Sequence, residues 1–253
     1  MTKKRNPPKT DEAGTDVVDY EAQMAAEAKA VAKTERVSAD RFTLQSGILS
    51  YMGNPIPDNK MNCIIVSALG ENIHYAGDWD PDLIVPPTCY GLGAPGEPMF
   101  PHPDIEEPIN ADCKSCPYMK FKSAPNKKGK WCKEKRRLAI IPFAESAEEL
   151  GSGEMAMMTI PVMSVKNWSV YVNLISAKFN RPSWGMVTEV KVVPDPKSQF
   201  RVLFTEVAPL PSDHLGAVHG RLEAAVTMLE TPYDMNPEPP EKEEEADGKS
   251  KKY

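Results

Sequence analysis

The chain has 253 residues, of which 41% are hydrophobic, and a formal net charge of -6 at pH 7. This length predicts one domain of about 150–200 residues with tails, and the hydrophobic content is sufficient for a core. The first residues are basic but are not followed by an apolar segment, and no apolar run is long enough to span a bilayer. We therefore expect no signal peptide, no membrane partner and a cytoplasmic protein.

The first predicted segment is an N-terminal arm, residues 1–38. Its second half is rich in Ala, Glu and Lys, and its apolar residues are too sparse for a helix that packs on a core. We expect this arm to be flexible or weakly helical. The core is predicted over residues 39–231, and its first apolar run begins near Arg41-Phe42-Thr43-Leu44.

Two strands and a long insertion are predicted next. An apolar run at residues 61–68 predicts a strand, and a second short strand ends at Tyr75. Cys63 lies in the first run and is predicted to be a small buried apolar side chain rather than a ligand. Residues 76–131 contain ten of the chain's 25 prolines and show no hydrophobic period. A metal would order such a segment, so we place a metal-binding insertion at residues 76–137.

The elements after the insertion have clearer patterns. Residues 138–143, 155–162, 186–193 and 200–206 predict strands, the last two as a hairpin. Ser164 is predicted to cap a helix, and Asp213 to begin a closing helix. A helix between the third and fourth strands of a five-stranded barrel is typical of the OB-fold. The predicted fold is mainly β with helices: an OB-like barrel with a metal-ordered, Pro- and Lys-rich insertion and a C-terminal helix.

Four cysteines form the most informative motif: Cys89, Cys113, Cys116 and Cys132. The C-x-x-C spacing of Cys113 and Cys116 lets both sulfurs reach one tetrahedral ion. Disulfides need an oxidising compartment, which nothing in the sequence indicates. We predict that all four cysteines bind zinc, while an iron–sulfur cluster with the same ligands is an open alternative. His102 is the alternative fourth ligand if Cys89 is too distant.

This motif argues against catalysis. A site closed by four cysteines has no open position for a reacting water, and the sequence contains no recognisable catalytic triad. We therefore expect a binding protein and not an enzyme.

Basic and acidic residues are concentrated in different parts of the chain, so the net charge of -6 does not describe either part. Between Lys114 and Arg137 ten Lys or Arg residues accompany a single acid, Glu134. Lysines for phosphates, interspersed with aromatic rings for bases, are typical of proteins that bind single strands. The alternative is a solvated lysine loop whose aromatic residues pack on the metal site. The residues predicted to contact nucleic acid are Tyr118, Lys120, Phe121, Lys122, Lys127, Lys128, Lys130, Trp131, Lys133, Lys135, Arg136 and Arg137.

The C-terminal tail, residues 232–253, is predicted to be acidic and disordered. Six acids lie between Glu238 and Asp247, against Lys242 alone. A tethered acidic tail can compete with DNA for the basic segment, and its displacement would free it to recruit replication or recombination proteins. A purely solubilising tail is the alternative.

These motifs resemble those of a family of tailed-phage proteins whose inferred function is single-stranded DNA binding. The resemblance covers roughly residues 40–210, and it implies an OB-like core, a zinc site and a location in the cytoplasm of a bacterial host. The residues that carry it are Arg41-Phe42-Thr43-Leu44, Tyr75-Ala76-Gly77-Asp78-Trp79-Asp80-Pro81-Asp82, Pro86-Pro87-Thr88-Cys89, Met99-Phe100-Pro101-His102, Cys113-Lys114-Ser115-Cys116-Pro117, and Lys128-Gly129-Lys130-Trp131-Cys132 with the basic residues up to Leu138.

The sequence as a whole predicts a single-stranded DNA-binding protein of phage DNA replication or recombination, without strong sequence preference. RNA in place of DNA is an open alternative, as is the oligomeric state. The first alternative function is a protein-interaction or regulatory module, such as an inhibitor of a host protein, in which the metal is purely structural. The second is an iron–sulfur protein.

Overall fold

A computed structural model describes residue 24 and residues 41–77, 85–94 and 96–236. The chain divides into two compact units, residues 1–39 and 40–253. Of the first unit only Met24 is described, and it is helical and exposed. The predicted N-terminal arm otherwise lies outside the described residues, as does the acidic tail from residue 237 onward.

The second unit consists of a large sheet and several short helices. Its strands are β1 Arg41–Gln45, β2 Ile48–Tyr51, β3 Asn54–Pro55, β4 Lys60–His74, β5 Cys89–Gly93, β6 Lys133–Pro142, β7 Ala156–Ile160, β8 Met186–Asp195 and β9 Gln199–Pro209. Its α-helices are α1 Ala147–Ser152, α2 Val162–Phe179, α3 Ser212–His219 and α4 Leu222–Leu229. The predicted class, mainly β with helices, is confirmed.

The strands form one curled sheet in the order β3-β2-β1-β7-β6-β4-β8-β9. All pairs are antiparallel except β1 with β7, which is parallel. The 15-residue strand β4 is central to this arrangement. It pairs with β6 along one edge, while its other edge pairs with β8 near Lys60 and with β5 near His74.

Both faces of the sheet are covered by helices, because successive side chains of a strand point to opposite faces. Cys63 and Ile65 of β4 belong to a core that includes Trp168 and Ile175 of α2. Ile64 and Val66 belong to a second core, to which α1, α3 and α4 contribute. Cys63 is fully buried, so its predicted role as a small core side chain is confirmed.

Three local predictions were wrong. The two strands predicted between residues 61 and 75 are the single strand β4, whose apolar pattern is interrupted by Glu71. Ser164 does not cap α2, which begins at Val162; its hydroxyl instead accepts the backbone N–H of β9 residue Val202 at 2.9 Å. The closing helix is two helices, α3 and α4, separated at Gly220.

A buried ion pair explains why β4 continues through a charged residue. Arg137 on β6 donates from Nε to Glu71 Oε1 at 2.8 Å, and both side chains are almost fully buried. Arg137 also donates to the backbone oxygens of Leu229 and Thr231, at 2.9 and 2.6 Å. The hydroxyl of Tyr233 donates to Glu71 Oε1 at 2.7 Å. The pair therefore ties the chain after α4 to the centre of the sheet.

None of the helices in the described part of the chain is long and apolar enough to cross a bilayer.

Replacing Arg137 with Ala should destabilise the fold by about 3–5 kcal/mol, because it leaves the Glu71 carboxylate buried without a cation. The matched control is Lys178→Ala, which removes the solvent-exposed partner of Glu206 and should cost about 1 kcal/mol or less. Urea unfolding of the two variants measures the difference. Equal losses would mean that burial of the Glu71–Arg137 pair has no energetic consequence.

Candidate metal centre and basic loop

The four predicted metal-binding cysteines lie together. Cys89, Cys113, Cys116 and Cys132 line one cavity of ≈ 20 Å³, and all four are free thiols. Cys89 is half-buried and the other three are buried. Within the described residues, no group of three or more His, Cys, Asp or Glu side chains is placed so that it could hold a metal ion. The four thiols line a space large enough for about one ion or water, and they are the candidate centre because the cysteine spacing predicts them as ligands.

Three separate segments bring the cysteines to this cavity. Cys89 begins β5 and pairs with His74 at the end of β4. Cys132 directly precedes β6, and its N–H donates to the carbonyl of Tyr118 at 3.1 Å. Cys113 and Cys116 occupy a turn, in which the N–H of Cys116 donates to the carbonyl of Cys113 at 3.4 Å.

The turn that carries Cys113 and Cys116 is fixed by the side chain of Asp112. Asp112 Oδ1 accepts the backbone N–H of Ser115 at 2.7 Å, and Oδ2 accepts its hydroxyl at 2.5 Å. These hydrogen bonds hold the pKa of Asp112 below its usual range. Asn110 adds a donor to Ser115 Oγ at 2.7 Å. An Asp followed three residues later by Ser is a turn signature that the sequence also contains at this site.

Close packing around Cys113 depends on a glycine in β5. A Cβ at Gly91 would lie 2.4 Å from the carbonyl oxygen of Phe100 and 3.2 Å from Cys113 Sγ. No side chain fits there without displacing the cavity wall. Asn72 of β4 lines the same cavity, and its side chain acts to lower the pKa of the Cys113 thiol against the effect of burial. Sequence reasoning missed both residues, because their role depends on the pairing of β4 with β5.

The histidine at the cavity is His74 and not His102. His74 is buried and lines the cavity, and its Nδ1 has no hydrogen-bond partner among the described residues. His102 instead stacks on Tyr90 with ring centroids 4.7 Å apart, and its Nδ1 accepts the N–H of Asp104. The structure thus places Cys89, rather than the alternative ligand His102, at the site.

The environment of Cys132, Cys113 and Cys89 disfavours their thiolate forms in the absence of a cation. Burial first, and then the neighbouring Cys113, Cys116 and Cys89, together raise the pKa of Cys132 to about 12. Burial also raises the pKa values of Cys113 and Cys89. A metal cation in the cavity would reverse this balance, because a coordinating thiol is deprotonated outright.

The basic loop, residues 114–131, is ordered by its own hydrogen bonds. Ser123 Oγ donates to the carbonyl of Tyr118 at 2.8 Å and accepts the N–H of Trp131 at 2.9 Å. The rings of Tyr118 and Trp131 pack on each other, with centroids 4.5 Å apart, and each lies 4.8 Å from the ring of His74. These contacts, none of which involves a lysine side chain, fix the loop to the wall of the cysteine cavity.

The predicted nucleic-acid contacts fall into three groups. The exposed ones are Lys120, Phe121, Lys122, Lys127, Lys128 and Lys133; the half-buried ones are Tyr118, Lys130, Trp131, Lys135 and Arg136. Lys130 forms an ion pair with Glu134 at 2.5 Å, and Lys133 Nζ donates to the carbonyl of Lys130. Arg137 is buried in its pair with Glu71, so it is removed from the set of possible nucleic-acid contacts.

Comparisons of this chain with models of known protein families, with curated proteins and with solved structures found no match.

Trp131 and Phe121 should differ in their effect on the loop. Trp131→Ala removes a ring that packs on His74 and Tyr118, so the amides of residues 114–131 should exchange hydrogen at least tenfold faster, which is about 1.4 kcal/mol of opening free energy. Phe121 is 73% exposed, and Phe121→Ala should leave this exchange unchanged. Peptide-resolved hydrogen exchange measures both. Equal acceleration by the two variants would contradict the packing role of Trp131.

Proposed function

We propose that this protein binds single-stranded DNA through the basic loop, with little sequence preference, in phage DNA replication or recombination. The observation that carries the proposal is a group of exposed lysines beside an exposed aromatic ring. Lys120, Lys122, Lys127 and Lys128 are exposed, and within the described residues none of them forms an ion pair. Phe121 lies among them with its ring free to stack on a base.

The pairing of the central strands supports an OB-like interpretation of the core. β4 pairs with β6 and β8, β6 pairs with β7, and β8 pairs with β9. Helix α2 connects β7 to β8, so it occupies the position between the third and fourth strands of this set of five. The third strand of this set is β7, which pairs with β6 on one edge and with β1 on the other. The pairing of β7 with β1 is parallel. We infer a five-stranded OB-like core that β1 and β2 extend.

This interpretation gives the basic loop a functional position. The faces of the second and third strands, and the loop that joins the first to the second, are where OB-folds bind oligonucleotides. Here that loop is the connection between β4 and β6, residues 75–132, which includes the four cysteines and the lysines. The proposed DNA contacts and the proposed metal centre thus belong to one connection.

We further propose that Cys89, Cys113, Cys116 and Cys132 hold one zinc ion with a structural role. The donor set fits the ion, because four thiolates are a common ligand set of structural zinc. The cavity of ≈ 20 Å³ matches a single ion better than an iron–sulfur cluster, which adds several iron and sulfide atoms. Bound there, zinc would supply cross-linking between β5, the Cys113–Cys116 turn and the start of β6.

Elemental analysis of the purified protein should give about one zinc per chain. Cys116→Ser should release it, because three thiolates and a hydroxyl bind zinc weakly, and should increase hydrogen exchange in residues 85–132. The control is Cys63→Ala, which lies in the core away from the cavity and should keep the zinc. Full zinc content in the Cys116→Ser protein, or a brown protein with visible absorbance, would contradict a four-cysteine zinc site.

The DNA proposal is tested by titrating a fluorescent oligo-dT of about 20 nucleotides at several salt concentrations. The logarithm of the binding constant should fall linearly with the logarithm of the salt concentration. The slope should be about -0.7 for each phosphate that the protein neutralises. Replacing Lys122, Lys127 and Lys128 with Gln should flatten that slope by about 2, and Phe121→Ala should weaken binding at every salt concentration.

The matched control replaces Lys166, Lys191 and Lys197, which are also exposed but lie on α2, on β8 and after β8. It changes the net charge equally and should alter the slope little. Absence of binding at low salt would remove the proposal, and retention of a host protein instead would favour an interaction module. Equal losses in the two triple variants would show that total charge matters and the loop does not.

A further inference from the structure

A second basic site lies outside the loop, on the sheet. An open cleft of ≈ 410 Å³ is lined by residues of β1, β6, β7 and the start of β9, with Arg41 and Lys135 as its charged side chains. Among the described residues that line it, none is acidic. Its remaining polar side chains include Thr43, Gln45 and Thr159.

The register of the strands places these side chains on one face. Arg41 pairs with Met157, and Phe42, which points into the core, pairs with Met158. Because alternate residues share a face, Arg41, Thr43 and Gln45 point away from that core. On β7 the same face carries Met157 and Thr159.

Lys135 joins this face from β6. Its neighbour Arg136 pairs with Ile160, while Arg137 pairs with Thr159 and Leu138 with the core residue Met158. Lys135 and Lys133 therefore lie on the same face as Thr159. The two lysines are two residues apart on β6, which is about 7 Å along the strand. Lys133 and Lys135 thus lead along β6 from the end of the basic loop to the cleft, which Arg41 lines from β1.

The cations of the cleft are available for a ligand. Within the described part of the chain, neither Arg41 nor Lys135 forms an ion pair. Among the described residues that line the cleft, no acidic side chain neutralises these two cations. An anion bound between them would be attracted by both, and the hydroxyls of Thr43 and Thr159 add donors of the kind that contact phosphate oxygens.

We propose that this cleft binds phosphate groups of the same single DNA strand, after the strand leaves the basic loop. The inference rests on the proposed function and adds β1, which lies outside the OB-like set of five strands, to the DNA-binding surface. Arg41 and Lys135 contact successive parts of the backbone, and Thr43 and Thr159 lie on the floor between them. The bound strand follows the face of β6 and β7 and ends on β1.

The test is the double variant Arg41→Gln/Lys135→Gln, titrated with oligo-dT against salt. Each lost phosphate contact should make the slope of log affinity against log salt concentration shallower by about 0.7. At ~0.05 M salt this corresponds to about an eightfold loss of affinity for each contact. The loss should be smaller for an oligonucleotide of about five nucleotides, since only a longer strand reaches from the loop to the cleft. Lys166→Gln/Lys191→Gln is the control with the same charge change, and it should bind like the wild type.

The possible results separate this inference from the function on which it rests. No binding by the wild type overturns the proposed function. Normal wild-type binding, with the cleft variant indistinguishable from its control, overturns only the cleft. Binding of free dTMP that depends on Arg41, with unchanged affinity for the long oligonucleotide, also overturns it and identifies a mononucleotide pocket. A reduced slope and a length-dependent loss, seen only in the cleft variant, support it.

Discussion

The buried pair of Glu71 and Arg137 is the constraint on which the rest of the unit depends. It allows β4 to continue as a strand beyond its apolar half, where the carboxylate of Glu71 would otherwise be buried without a cation. The extended end of β4 then provides the edge for β5, which carries Cys89, and supplies Asn72 and His74 to the cavity. The ion pair thus lies on the same stretch of β4 that supplies Asn72 and His74 to the cavity of the candidate metal centre.

The same pair also constrains how β4 and β6 align. A buried ion pair contributes little net stability compared with apolar residues of similar volume, but its geometry tolerates few alternatives. Here it fixes the register of β4 against β6, in which Glu71 lies opposite Lys135 and Arg137 opposite Leu69. A slip by one residue would turn every side chain of β6 to the other face. Lys133 and Lys135 would then point to the face that carries Leu138 and Ile140, and they would leave the cleft lined by Arg41.

The parts of the fold that were predictable from the sequence are those with local signals. The apolar runs identified β6 to β9 and the helical period identified α2, since these patterns reflect which side of each element is buried. The length of β4, the strand β5 and the burial of Arg137 were not predictable. Each depends on partners distant in the sequence: Glu71 and Arg137 are 66 residues apart, and Tyr233 is 162 from Glu71. The cysteine spacing could indicate a shared site, but nothing in it indicates Gly91, Asn72 or His74.

The backbone of the basic loop bears on the purpose of its lysines. Lys122 and Lys127 have positive φ angles of 68° and 57°, a conformation that costs a residue with a side chain roughly 1 kcal/mol relative to Gly. Both side chains are exposed, so packing does not offset this cost. The loop closes through Ser123, Tyr118 and Trp131, none of which needs a lysine. Any side chain at these two positions therefore costs local stability, whatever its charge, so the backbone does not favour Lys over Gly there. Under the proposed function, a polyanion that contacts several lysines at once would supply the reason for long cationic side chains at these positions.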